Sequence, residues 1–116
     1  MLADRLLSLR QEGEYFHTSS FDTISAAGEN AAMCHYNHRN AEPAILPSNS
    51  VYLVDSGGQY TDGTTDITRT VAIGDPGPDI RRMYTLVLKG NIALSSVRFP
   101  VGTSGTQLDI LARQFL

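Results

Sequence analysis

Two aspartates, Asp55 and Asp66, are the residues of this chain most able to do chemistry. Asp55 closes the apolar run Val51, Tyr52, Leu53, Val54, and Asp66 follows the turn-forming residues Asp62 and Gly63. An ionised carboxylate at a strand end is costly to bury without donors or a cation, and two close together cost more. A divalent ion between them reverses that penalty. All-oxygen ligation admits Mn²⁺, Mg²⁺, Co²⁺ or Zn²⁺ and favours the harder ions. The spacing alone leaves a second reading open, because Asp-Ser-Gly and Asp-Gly also form ordinary turns.

The elements that must position these acids follow from the pattern. Val51 to Asp55 reads as a strand, interrupted by Gly57 and Gly58. Asp62-Gly63 reads as the centre of a hairpin turn, which makes Asp62 a turn residue only, and 66–73 as the returning strand. That turn sets Asp55 opposite Thr70 and Asp66 opposite Gln59. Straight strands would hold the acids about 13 Å apart, four residues at about 3.3 Å each. They converge only if the first strand bends at the glycines.

Around this hairpin, residues 2–12 show apolar Leu2, Leu6 and Leu9 at helical spacing, with Gly13 as the stop. Residues 21–26 and 31–36 read as strands joined by a turn at 28–30. Residues 37–49 read as a polar loop. Pro78 suits the first turn of a helix over 79–98, with Ile80, Met83, Val87, Leu94 and Val97 near one face. Thr106 to Asp109 resembles a capping box that opens a last helix through Leu108, Leu111 and Phe115. The class is α+β: an antiparallel sheet with flanking helices.

Composition excludes several functions. At 116 residues with 41% hydrophobic content, the chain is one small globular domain at most. A net charge of −3 offers no basic stripe to nucleic acid or an anionic membrane, so neither is expected as a partner. No apolar run approaches the ~20 residues of a membrane helix, and the N-terminus lacks the pattern of a signal peptide. Cys34, the single cysteine, is expected to be a buried spare thiol, in keeping with a cytoplasmic location. His17 and His38 are expected at the surface.

The run Leu-Val-Asp-Ser-Gly-Gly-Gln-Tyr-Thr-Asp-Gly-Thr-Thr-Asp-Ile-Thr-Arg-Thr at 53–70 resembles the first metal-ligand segment of the Xaa-Pro aminopeptidases, or aminopeptidases P. These are pita-bread metallopeptidases, with methionine aminopeptidase and prolidase. Phe-Asp-Thr-Ile at 21–24, Gly-Glu-Asn-Ala-Ala at 28–32 and His-Tyr at 35–36 resemble the segment before it. Val-Leu-Lys-Gly-Asn-Ile-Ala at 87–93 and Phe-Pro-Val-Gly-Thr at 99–103 resemble the helix and turn after it. The resemblance covers nearly the whole chain, and its 62–70 stretch is highly specific.

What the resemblance implies is a partial pita-bread fold and a two-metal site, with Mn²⁺ as the usual ion and Co²⁺ or Zn²⁺ as alternatives. Asp55 matches the ligand of one ion and Asp66 the ligand bridging both. His35 matches a histidine beside the scissile carbonyl; on its own residues it reads rather as a satisfied strand-end histidine. The implied reaction removes the residue before proline from peptides with proline second, by attack of a metal-activated hydroxide. The family's His and two Glu ligands lie C-terminal to the last helix, and the sequence stops at Leu116. Residues 1–116 are therefore read as an incomplete catalytic domain, roughly its first half. The isolated chain is expected to bind metal weakly, to hydrolyse nothing, and to cover its exposed edges as a homodimer.

Three other readings compete. A non-catalytic pita-bread module would bind peptides or proteins; such members, like the metal-free creatinase relatives, usually replace the two Asp. A prolidase-like dipeptidase shares the segment. Asp-Ser-Gly-Gly at 55–58 also resembles the nucleophile motif of chymotrypsin-like proteases, but Val54 stands where that motif has Gly.

Overall fold

The computed structural model describes residues 1–40 and 45–116. The expected polar loop falls partly on 41–44, outside the described residues. The chain divides into two compact units, Met1–Pro76 and Gly77–Leu116.

The first unit opens with helix α1, Leu2–Gln11. Its strands are β1, Phe16–Ser19; β2, Ile24–Ala27; β3, Ser50–Ser56; β4, Gly58–Tyr60; β5, Gly63–Thr64; and β6, Ile67–Ile73. They form two antiparallel three-stranded sheets in the orders β1-β4-β5 and β2-β3-β6. Short 3-10 turns at Gly28–Ala32 and His38–Asn40 lie between β2 and β3.

α1 packs through a different stripe from the one its leucines suggest. Leu2 and Leu9 are exposed, whereas Ala3 is buried and Leu6, Leu7 and Arg10 are half-buried. Positions 3, 6, 7 and 10 make one helical face. Small size at Ala3 lets the helix lie close, and among the described residues Ala26 of β2 is the other buried apolar side chain.

Two strands differ from expectation. Residues 31–36 do not form a strand; β2 pairs instead with β3, placing Ala26 opposite Leu53. β1, which has no apolar alternation to announce it, pairs with β4, and Phe16 meets Tyr60 edge-to-face at 5.7 Å between ring centroids. Ring pairing across the strands compensates for the short ladder.

The second unit is a helical pair: α2, Gly77–Ser96, with Pro78 in its first turn, and α3, Gly105–Arg113. α2 turns Leu86, Gly90 and Ala93 inward, with Val97 half-buried just past its end, while Ile80, Met83, Val87 and Leu94 of the expected face are exposed. Gly90 decides this: a Cβ there would run into the Ala112 carbonyl of α3, so close backbone approach selects the glycine face. α3 opens two residues earlier than Thr106. The Ser104 N–H donates to Gln107 Oε1 at 2.8 Å, the back-reaching half of a capping box. Leu108, Leu111 and Phe115 lie inward as their spacing requires, and Lys89 Nζ sits 4.4 Å over the Phe115 ring.

Candidate metal centre

β3 is the central strand of its sheet, and Asp55 stands between Ile24 of β2 and Thr68 of β6. Central placement half-buries the side chain. Its Oδ1 is fully enclosed and has no hydrogen-bond partner. An enclosed carboxylate oxygen left unpaired is costly. A bound cation is the natural compensation, so the residue fits a metal ligand by its own structure.

Asp66 is exposed and lies one residue before β6. Its distance from Asp55 is set by register. The hairpin turn is Thr61-Asp62, because Tyr60 pairs with Gly63 and Gln59 with Thr64. The same count runs on to Ser56 with Ile67 and Asp55 with Thr68. The expected register, with Asp62-Gly63 at the turn and Asp55 opposite Thr70, is therefore wrong by two residues. None of Thr61, Asp62 and Gly63 has a positive φ, so the turn does not use the left-handed freedom that the Asp-Gly signal anticipates.

The slip changes the chemistry. Asp66 is two positions from Thr68, the partner of Asp55, so the acids are diagonal neighbours rather than four positions apart. Within a paired ladder such neighbours lie about 7–8 Å apart along the backbone, and Asp66 stands one residue beyond the last pair, Ser56 with Ile67.

The ladder breaks where expected. Gly57 separates β3 from β4. Its carbonyl accepts the Ser20 N–H at 3.2 Å, Ser20 Oγ donates to the Thr65 carbonyl at 2.8 Å, and the Thr65 N–H donates to the Gly58 carbonyl at 2.9 Å. A Cβ on Gly57 would collide with the Thr65 carbonyl oxygen and with Ser20 Oγ. The backbones of both strands can touch here only because residue 57 has no side chain.

His35 is exposed and adopts the left-handed backbone, φ 61°, uncommon for a residue with a Cβ. It is not at a strand end, since no strand forms there. It lines a pocket of about 230 Å³ with Phe21, Asp22, Thr23, Ile24 and Tyr36. Ile24 also pairs with Asp55, so the pocket adjoins the strand pair that carries the acid. Among the described residues no group of three or more His, Cys, Asp or Glu comes together as a metal site.

Other side chains correct the sequence reading. Cys34 is a free, exposed thiol rather than a buried one. His38 is not a plain surface residue: both ring nitrogens are enclosed without partners. His17 is exposed and bonds Thr61 Oγ1 at 3.2 Å. Ser56 is 3% exposed and its Oγ accepts from Arg10, which removes it as a nucleophile. Sequence reasoning passed over Arg10, whose partners lie 46 and 50 residues away; only its place on the packing stripe of α1 could have signalled it.

The profile of metallopeptidase family M24 matches residues 2–116. The chain belongs to this family. It is 56% identical over 114 residues to "Probable Xaa-Pro aminopeptidase P" of Botryotinia fuckeliana, covering 98% of the chain and 17% of the relative. It is 57% identical over 115 residues to the protein of the same name from Verticillium alfalfae, 98% against 19%. The M24 chain therefore spans about a fifth of the length of these relatives. Among solved structures it resembles X-prolyl aminopeptidase of Caenorhabditis elegans, a cytosolic enzyme with a di-nuclear active site, at TM-score 0.86 and 43% identity, covering 98% of this chain and 19% of that one. It resembles prolidase of Pyrococcus furiosus at TM-score 0.83 and 27% identity, 98% against 32%. The mixed helical and antiparallel pita-bread architecture is shared with both. Among the described residues no helix is long and apolar enough to cross a membrane.

Proposed function

We propose that this M24 chain is part of the catalytic domain of a proline-specific aminopeptidase, that Asp55 and Asp66 are two of its metal ligands, and that His35 faces the substrate. The observation carrying this reading is the enclosed, unpartnered Oδ1 of Asp55 on a strand whose register makes Asp66 its diagonal neighbour. The similarity to Xaa-Pro aminopeptidases P supplies the substrate class, a peptide with proline second.

The donors are oxygens, which suits Mn²⁺ over softer ions. Divalent ions bound here would lower the pKa of a water and polarise the carbonyl before proline. The chain's own residues have simpler tasks. Asp55, held in the central strand, gives a fixed anchor. Asp66, exposed at a strand entrance, can reach across to a second ion. His35 can donate a hydrogen bond to the substrate carbonyl from the wall of its pocket. Two carboxylates are fewer ligands than a two-metal site needs, and among the described residues no third His, Cys, Asp or Glu joins them, so the isolated 116 residues bind metal weakly and turn nothing over. A homodimer and a cytoplasmic location complete the proposal, the latter supported by the cytosolic relative.

Calorimetric titration of Mn²⁺ tests the reading. Weak binding by the wild-type chain, lost in both Asp55→Asn and Asp66→Asn, supports it. Equal Mn²⁺ uptake by all three proteins refutes it. The likeness to prolidase favours one second reading, a dipeptidase for Xaa-Pro. In the full-length protein, cleavage of Xaa-Pro dipeptides but not of longer peptides would select it.

A further inference from the structure

The carboxylate pair lies beside a strand break, and Gly57 at that break has no side chain with which to define the angle between β3 and β4. One residue spans it. Arg10, at the end of the packing stripe of α1, donates from one terminal nitrogen to Tyr60 Oη at 3.2 Å. Its other terminal nitrogen donates to Ser56 Oγ at 3.0 Å and to the Ser56 carbonyl at 3.4 Å. Ser56 is the last residue of β3 and Tyr60 the last of β4, so one planar guanidinium grips both sides of the break.

The strand's alternation fixes what this grip can do. Ser56 Oγ points toward Arg10, and the side chain of its neighbour Asp55 points to the opposite face. The guanidinium therefore stands behind the carboxylate rather than against it. It does not neutralise Asp55; it holds the backbone from which Asp55 projects. We infer that Arg10 is a positioning residue, which sets the β3–β4 corner so that Asp55 and Asp66 face one cation-binding space. This rests on the reading of those two acids as metal ligands. Lysine cannot substitute, because three acceptors on two strands require a fork and an ammonium is a single point.

The test compares the wild-type chain with Arg10→Met and Arg10→Lys by amide hydrogen exchange and by Mn²⁺ titration. Exchange at the Ser20, Gly58 and Thr65 N–H groups, which all bond across the corner, should quicken about tenfold or more in both variants. Exchange in α2 and α3 should not change. Mn²⁺ affinity should fall about 10- to 100-fold, the usual cost of losing a residue that orients a ligand. The visible spectrum of bound Co²⁺ should also shift, which a simple loss of stability would not cause. Wild-type exchange at the corner in Arg10→Met overturns the inference, and so does an unchanged Mn²⁺ affinity. A wild-type chain that ignores Mn²⁺ defeats the ligand reading, and with it the role assigned to Arg10; the two failures are thus distinct. If Arg10→Met does not fold, Tyr60→Phe and Ser56→Ala each remove one acceptor. Both should move exchange and affinity in the same direction, and silence in both overturns the inference.

Discussion

Replacing Gly57 by alanine is the sharpest perturbation of this fold. The added methyl would collide with the Thr65 carbonyl oxygen and with Ser20 Oγ, and would sit 2.7 Å from the Thr65 carbonyl carbon. Ordinary carbon contacts lie at about 3.5–4.0 Å. Ser20 could rotate away, but the Thr65 carbonyl is backbone. The two strands must therefore separate by the better part of an ångström. That movement stretches the Ser20 N–H bond to Gly57, now 3.2 Å, and the Thr65 N–H bond to Gly58, now 2.9 Å. Overpacking costs about 1–3 kcal/mol and each lost hydrogen bond about 1 kcal/mol, so the expected loss is about 3–5 kcal/mol. Gly63→Ala is the control. Its Cβ would meet nothing within 4 Å and its φ is not positive, so it should stay within about 0.5 kcal/mol of wild type. Urea denaturation followed by circular dichroism measures both, and Mn²⁺ titration asks whether the carboxylates still converge. Gly57→Ala with the stability of Gly63→Ala would refute the close-approach argument.

Gly90→Ala should destabilise the helical pair although alanine is the better helix former by about 1 kcal/mol, because its methyl meets the Ala112 carbonyl; a rise in melting temperature would contradict this. Without metal, Asp55→Asn should leave stability unchanged or raise it by up to about 1 kcal/mol, since it removes charge from an enclosed, unpartnered oxygen. In Mn²⁺ the order of melting temperatures should invert. Gln107→Ala removes the acceptor of the Ser104 N–H and should cost about 0.5–2 kcal/mol, read as earlier thermal unfolding of α3.

Much of this was legible in the residues. The apolar run before Asp55, the glycines after it and the β-branched return made the hairpin recognisable, because strand formers and turn formers differ in local conformational preference. The carboxylates were legible because acids at strand ends are chemically expensive. The specific 62–70 stretch carried the family, which the match over 2–116 established.

Other features depended on contacts between distant residues, which no local pattern encodes. The two-residue slip that brings Asp66 beside Asp55 was decided by Tyr60 pairing with Gly63, a register choice that an Asp-Gly dipeptide misreports. β1 was invisible because four residues without alternation become a strand only when β4 supplies partners. The inward face of α2 went to Gly90 rather than to its larger apolar residues, since backbone approach to α3 outweighed side-chain size. Arg10 carried no signal in the sequence, because its partners Ser56 and Tyr60 are brought to it only by the fold. Sequence by itself determined which groups could do chemistry, for their reactivity is local. Tertiary structure alone decided which of them meet and at what angle, because that is set by register and by the close backbone approach at Gly57.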